Sequence, residues 1–144
     1  MADRVRVDVV VGEHVLLDGD ALHVRGGGVR RLTVDELPAA VEHLALGLVT
    51  TVTDALPHRV RVGVRAPSGR LLALRTGDGD PASGLTIDLA AARDGAVTQG
   101  LFSLRLDGIV LEEMGLHAIE IDADGQAQSP LPLDVVLEAA SATD

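Results

Sequence analysis

The sequence predicts an all-β fold: an antiparallel two-layer sandwich of about seven to nine strands, with little or no helix. Three observations carry this. Apolar and polar residues alternate with a period of two in segment after segment. The apolar positions are filled largely by valine, leucine and isoleucine, and valine and isoleucine suit a pleated surface. Aspartate–glycine pairs separate several of the runs, as tight turns require.

Taken in order, Arg4 to Val11 alternates cleanly, with Val5, Val7 and Val9 opposite Arg4, Arg6 and Asp8. Gly12 ends or bends this strand. His14 to Leu17 resumes it, and Asp18-Gly19 reads as a hairpin turn into Ala21–Arg25. Gly26-Gly27-Gly28 could cradle a phosphate only with a helix after it and a lysine, serine or threonine at fixed spacing. Val29-Arg30-Arg31-Leu32 follows instead and reads as strand, so the triplet reads as a bulge or crossover.

Residues 33–53 are ambiguous. Thr33 and Glu36 have capping-box spacing, and Leu37, Val41, Leu44 and Leu48 share a helical face. Pro38 opposes helix continuation, and Leu48 to Thr53 is strongly β. The expectation is a strand from about Val41, after a short helical turn at 34–39. Arg59 to Arg65 alternates with Val60, Val62 and Val64 inward; Pro67-Ser68-Gly69 turns it, and Leu71–Arg75 returns as a hairpin. Residues 76–84 are loop by composition, and Leu85, Ile87 and Leu89 mark another strand.

The last third is the most regular. Phe102, Leu104 and Leu106 alternate up to an Asp107-Gly108 turn. His117, Ile119 and Ile121 alternate with Ala118, Glu120 and Asp122. Asp124-Gly125 suits a two-residue turn with positive φ at both positions, and Leu131, Leu133 and Val135 return. A single domain spans residues 1–139, with a frayed tail at 140–144.

The run EEMGLHAIEIDADG with its flanking strands resembles the C-terminal hairpin of immunoglobulin-like sandwiches. It resembles more closely a family of small bacterial β-sandwich proteins of unknown function. LHVRGGGVRRL, LPAAVEHLALGLV and HRVRVGVRAPSGRLL also fit that family's pattern, so the resemblance spans most of the chain. It implies a fold and no activity. Where such proteins often carry a corner tyrosine two residues after the glycine, this chain has His117.

Composition narrows the function classes. The 144 residues include no cysteine, which removes disulfides, thiol catalysis and thiolate metal sites. The net charge of −10 repels phosphate backbones, and one aromatic, Phe102, gives no stacking platform, so no nucleic-acid partner is expected. Carbohydrate binding, which leans on tryptophan and tyrosine, is disfavoured for the same reason. The charged start MADRVR lacks a secretory pattern, and no apolar run approaches the roughly 20 residues of a membrane span. A soluble cytoplasmic protein is expected, with no membrane partner.

Paired aspartates are the weak metal candidates, Asp78 with Asp80 and Asp122 with Asp124, since hard cations want oxygen ligands. Leu133 stands where a calcium loop needs glutamate, and turn chemistry accounts for both pairs. His14, His23, His43, His58 and His117 show no metal-ligand spacing, and no serine lies in a G-x-S-x-G elbow. No catalytic residue and no cofactor is assigned. Arg59, Arg61 and Arg65 line one predicted strand face; they either pair with cross-strand carboxylates or meet an acidic partner.

The function expected is a non-catalytic protein-interaction or assembly module. It would act through a sheet edge or loop end, on another protein or on itself as a homodimer. Its motive is the missing catalytic constellation together with 47% hydrophobic residues, more than one small core needs. The alternative is a small hydrolase or ligand- or cation-binding protein with its site at Gly26–Gly28 or in the loop 76–84.

Overall fold

Valine-rich alternation builds β1 (Val5–Gly12), and the apolar run after Leu44 builds β6 (Ala45–Val52). In the computed structural model, residues 5–54, 56–75, 81–89, 97–128 and 130–138 are described; all that follows concerns them. Between these two strands lie β2 (His14–Asp18), β3 (Ala21–Arg25), β4 (Arg31–Val34) and β5 (Ala39–Ala40). After them come β7 (His58–Arg65), β8 (Leu74–Arg75), β9 (Pro81–Ala82) and β10 (Leu85–Leu89). The chain continues through β11 (Thr98–Arg105), β12 (Val110–Leu111), β13 (Gly115–Ala123), β14 (Gln126–Ala127) and β15 (Leu131–Leu137). No helix forms among the described residues, so none is long and apolar enough to cross a membrane.

Two sheets make the sandwich. One has the order β1-β6-β11; the other runs β10-β7-β13-β15-β4, with β14 attached to β13. That is the immunoglobulin-like arrangement, with the strands of the last hairpin central in the larger sheet and a first-strand segment beside the last strand. The pairing is antiparallel except at one place: β4 runs parallel to β15. A chain whose first strands serve both sheets must cross between them, and the glycine triplet makes that crossing. Gly28 and Val29 both donate to the carbonyl of Val11, so the triplet is a crossover, as expected.

The core is where the period-two pattern places it. Leu46, Leu48, Val60, Val62, Ile119 and Leu133 are at most 1% exposed. Each buried side chain of this size contributes roughly 1.5–3 kcal/mol. Phe102 packs against their edge. The hairpin β2–β3 lies on the outer face of the smaller sheet because residue 47 is glycine. A Cβ there would stand 3.0 Å from Val10 Cγ1 and 3.2 Å from Val15 Cγ1. Leu16, Leu17 and Val24 are left exposed on this hairpin.

Four local expectations are corrected. No helical turn forms at 34–39; residues 35–38 bend, and the strand begins at Ala45 rather than Val41. The β2–β3 turn sits one residue later than Asp18-Gly19, since Asp18 pairs with Ala21 and Gly19-Asp20 forms the loop. The hairpin after β7 is short: Arg65 bridges Leu71, then the chain leaves, and β7 pairs instead with β10. The sandwich is not wholly antiparallel, since β4 runs parallel to β15. Asp124-Gly125 does form the predicted turn, with φ of 54° and 83°.

Candidate interaction edge and buried polar cluster

The larger sheet ends at β4, and its hydrogen-bonding parity decides what that edge offers. Asp134 donates to the carbonyl of Arg30, and Glu138 donates to that of Val34. The register pairs Arg31 with Asp134 and Thr33 with Val136. Main-chain groups of residues 30, 32 and 34 therefore face β15, and those of Arg31 and Thr33 face away from it. An open edge with unpaired main-chain groups is a template for another strand.

A groove of about 1180 Å³ runs beside this edge. Arg31, Thr33, Ala39 and Glu42 line it, with the exposed side chain of Leu116 at its margin. Its charges are separated along β4. Arg30 and Arg31 stand at one end; Asp35 and Glu36 stand at the other. Among the described residues, Arg25, Arg30 and Arg31 form no ion pair. At the acidic end, Asp35 accepts a hydrogen bond from the Glu138 carboxyl and its charge opposes ionisation there, which raises the Glu138 pKa above its usual range.

The arginines singled out from the sequence do lie along β7. Arg59 Nε is 2.9 Å from Asp88, and Arg65 Nε is 3.0 Å from Glu120. Arg61 lies opposite Asp122 and reaches Ser83 Oγ at 3.5 Å. Hydrogen bonding to Glu120 raises the Arg65 pKa further. The stripe is thus engaged with neighbours in its own sheet, in contrast to the arginines of β4.

The aspartate pairs separate. Asp78 and Asp80 lie outside the described residues. Asp124 accepts from the Arg59 amide at 2.9 Å through Oδ1, and its Oδ2 lies 2.6 Å from His58 Nδ1. Asp122 sits two residues before it on β13 and has no part in that contact. Among the described residues, no group of three or more histidine, aspartate or glutamate side chains could hold a metal.

His58 belongs to a cluster that spacing alone did not reveal. Its Nε2 is 2.5 Å from Asp54 Oδ1, so both ring nitrogens face carboxylate oxygens. Each contact needs a proton, and an imidazolium supplies both. Burial opposes the charged ring, but the hydrogen bonds to Asp124 and Asp54 outweigh it and raise the His58 pKa above the usual value. His58 in turn lowers the Asp124 pKa, with help from the Arg59 amide. The cluster ties the last hairpin to the start of β7. Asp and His four residues apart in a non-helical link carried no motif, which is why the sequence did not show it.

His117 is fully buried, and its Nδ1 lies 3.0 Å from the carbonyl of Gly115. A carbonyl only accepts, so Nδ1 carries the proton. The imidazole thereby bonds upstream main chain, as a corner tyrosine does. His14 and His43 lie with ring centroids 5.1 Å apart, and His23 pairs with Asp18 at 3.6 Å.

Fold and site together define a small immunoglobulin-like domain whose larger sheet ends, among the described residues, in a charge-separated edge strand, β4. Residues 9–136 match the DUF6941 family, a family of unknown function, and the chain belongs to it. No curated protein is similar in sequence. Among solved structures, an immunoglobulin-like protein from Pseudomonas aeruginosa is similar at 11% identity and a TM-score of 0.42. That likeness covers 92% of this chain and 97% of that one.

Proposed function

We propose that this chain is a non-catalytic interaction module that engages a protein partner by strand addition at β4. The observation that carries this reading is the outward-facing main chain of Arg31 and Thr33 beside an open groove. Main-chain pairing supplies affinity in such complexes, and alternate side chains supply specificity. The opposite edge strand, β10, pairs with β7 and carries the cross-strand ion pair Arg59–Asp88.

The test is site-specific photo-cross-linking in cells, with the cross-linking residue placed at Arg31 or, as control, at Thr86 on β10. Protein cross-links are expected from position 31 and not from position 86. They should vanish when Thr33→Pro removes one outward N–H, a change that leaves the β15 ladder intact. A thermal melt checks that the variant folds. Absence of cross-links at position 31, or equal cross-linking at both edges, overturns the reading.

A further inference from the structure

We infer that the strand added at this edge is β4 of a second copy of the chain, antiparallel about a two-fold axis through Thr33. The inference rests on the reading of β4 as the interaction edge and names its occupant.

Parity comes first. In an antiparallel pair, two opposed residues must both face the partner or both face away, so the opposed numbers sum to an even value. Outward-facing Arg31 and Thr33 restrict self-pairing to such registers.

Charge then selects among them. The sequence from residue 30 reads Arg-Arg-Leu-Thr-Val-Asp-Glu. Centring the axis on Thr33 sets Arg30 against Glu36, Arg31 against Asp35 and Leu32 against Val34, each pair occurring twice, with residues 35 and 36, which bend in the single chain, straightening to extend β4 in the pair. Centring it on Leu32 instead sets Arg31 against Thr33 and loses that match. A two-fold interface uses the same patch on both copies, so it must be self-complementary, and this segment is.

Three features of the isolated chain fit that register. Arg30 and Arg31 form no ion pair among the described residues, whereas Arg59, Arg65, Arg70 and Arg105 do. Asp35 and Glu138 crowd like charges at the far end of the edge, where the partner's arginines would arrive. Leu32 and Val34 are only half-buried, and each meets the other's counterpart across the axis. The result is one continuous sheet through both copies. It also satisfies the outward main-chain groups of Arg31 and Thr33.

The experiment is native mass spectrometry on purified full-length protein: wild type, Arg31→Asp, Asp35→Arg, and an equimolar mixture of the two variants. Wild type is expected as a dimer. Each variant alone places like charges opposite one another twice, so its dissociation constant should rise by about tenfold or more. In the mixture every opposed pair is attractive again, and heterodimer should form at the expense of both homodimers. Circular dichroism confirms that both variants are folded. A monomeric wild type, variants that dimerise as wild type does, or a mixture without selective heterodimer overturns the inference. If wild type is monomeric while position 31 still cross-links to a protein of different mass, self-pairing fails and the edge reading stands. If position 31 does not cross-link at all, the edge reading itself fails.

Discussion

Asp124 closes the hairpin between β13 and β14 and, from the same residue, holds His58 Nδ1 at 2.6 Å through its carboxylate. The turn conformation and the ion pair depend on one side chain. Asp124 has φ of 54°, a region that aspartate and asparagine tolerate better than most residues. The His58 ring is 6% exposed, flanked by Asp54 on its other side.

This contact predicts a direction of pH dependence. The folded pKa of His58 is raised, so its stabilisation is complete below the ordinary histidine value of about 6.5 and is lost as pH rises through the folded value. The folded pKa of Asp124 is lowered, so its contribution is present above about 3.9 and is lost as pH falls through the folded value. Thermal stability should therefore plateau between about pH 4 and pH 6.5 and decline above that range. Melts of wild type and Asp124→Asn across this range provide the check. The asparagine keeps the turn, costs about 1 kcal/mol near pH 6 after allowance for solvent screening, and flattens the alkaline decline. An equally steep decline in the variant would exclude this pair as its source.

Gly47 supports the β2–β3 hairpin by leaving it room. A valine there meets Val10, Val15 and Leu22 at once. The expected result for Gly47→Val is a loss of about 1–3 kcal/mol, with faster amide exchange in β2 and β3 and little change in β13. Uniform loosening of the whole fold would show that the hairpin is not a separate layer.

His117 predicts a contrast between two substitutions. Its Nε2 is buried with no hydrogen-bond partner among the described residues. Leucine removes that nitrogen and keeps most of the volume, so His117→Leu should stay within about 1 kcal/mol of wild type. His117→Ala leaves a cavity and should cost about 3 kcal/mol. Denaturant titrations separate the two, and a large loss in the leucine variant would mean that the Nδ1 bond to Gly115 matters more than packing does.

Much of the fold was legible because the buried strands repeat with period two. Val60-Val62-Val64 and His117-Ile119-Ile121 needed nothing beyond alternation, and Asp124-Gly125 announced its own turn. The hairpin after Arg65 was over-extended because local turn chemistry says nothing of a competing strand, and β10 takes β7 from a distance of some twenty residues. The edge was missed for a different reason. Thr33 and Glu36 fit a capping box, so the sequence was divided at Thr33, through the middle of β4. Its Arg-Arg…Asp-Glu symmetry was in plain view, but it acquires meaning only once Arg31 and Thr33 are known to face outward. The His58 cluster needed residues 54, 58 and 124 together, which only the assembled sandwich supplies.

The most direct measurement of the edge is residue-resolved amide hydrogen exchange at about 10 µM and about 500 µM protein. An alternating pattern is expected in dilute solution: Leu32 and Val34 slow, Arg31 and Thr33 fast. At the higher concentration Arg31 and Thr33 should slow markedly, while Thr86 on the opposite edge does not change. Exchange at Arg31 and Thr33 that is equally fast at both concentrations would contradict pairing of two copies through β4.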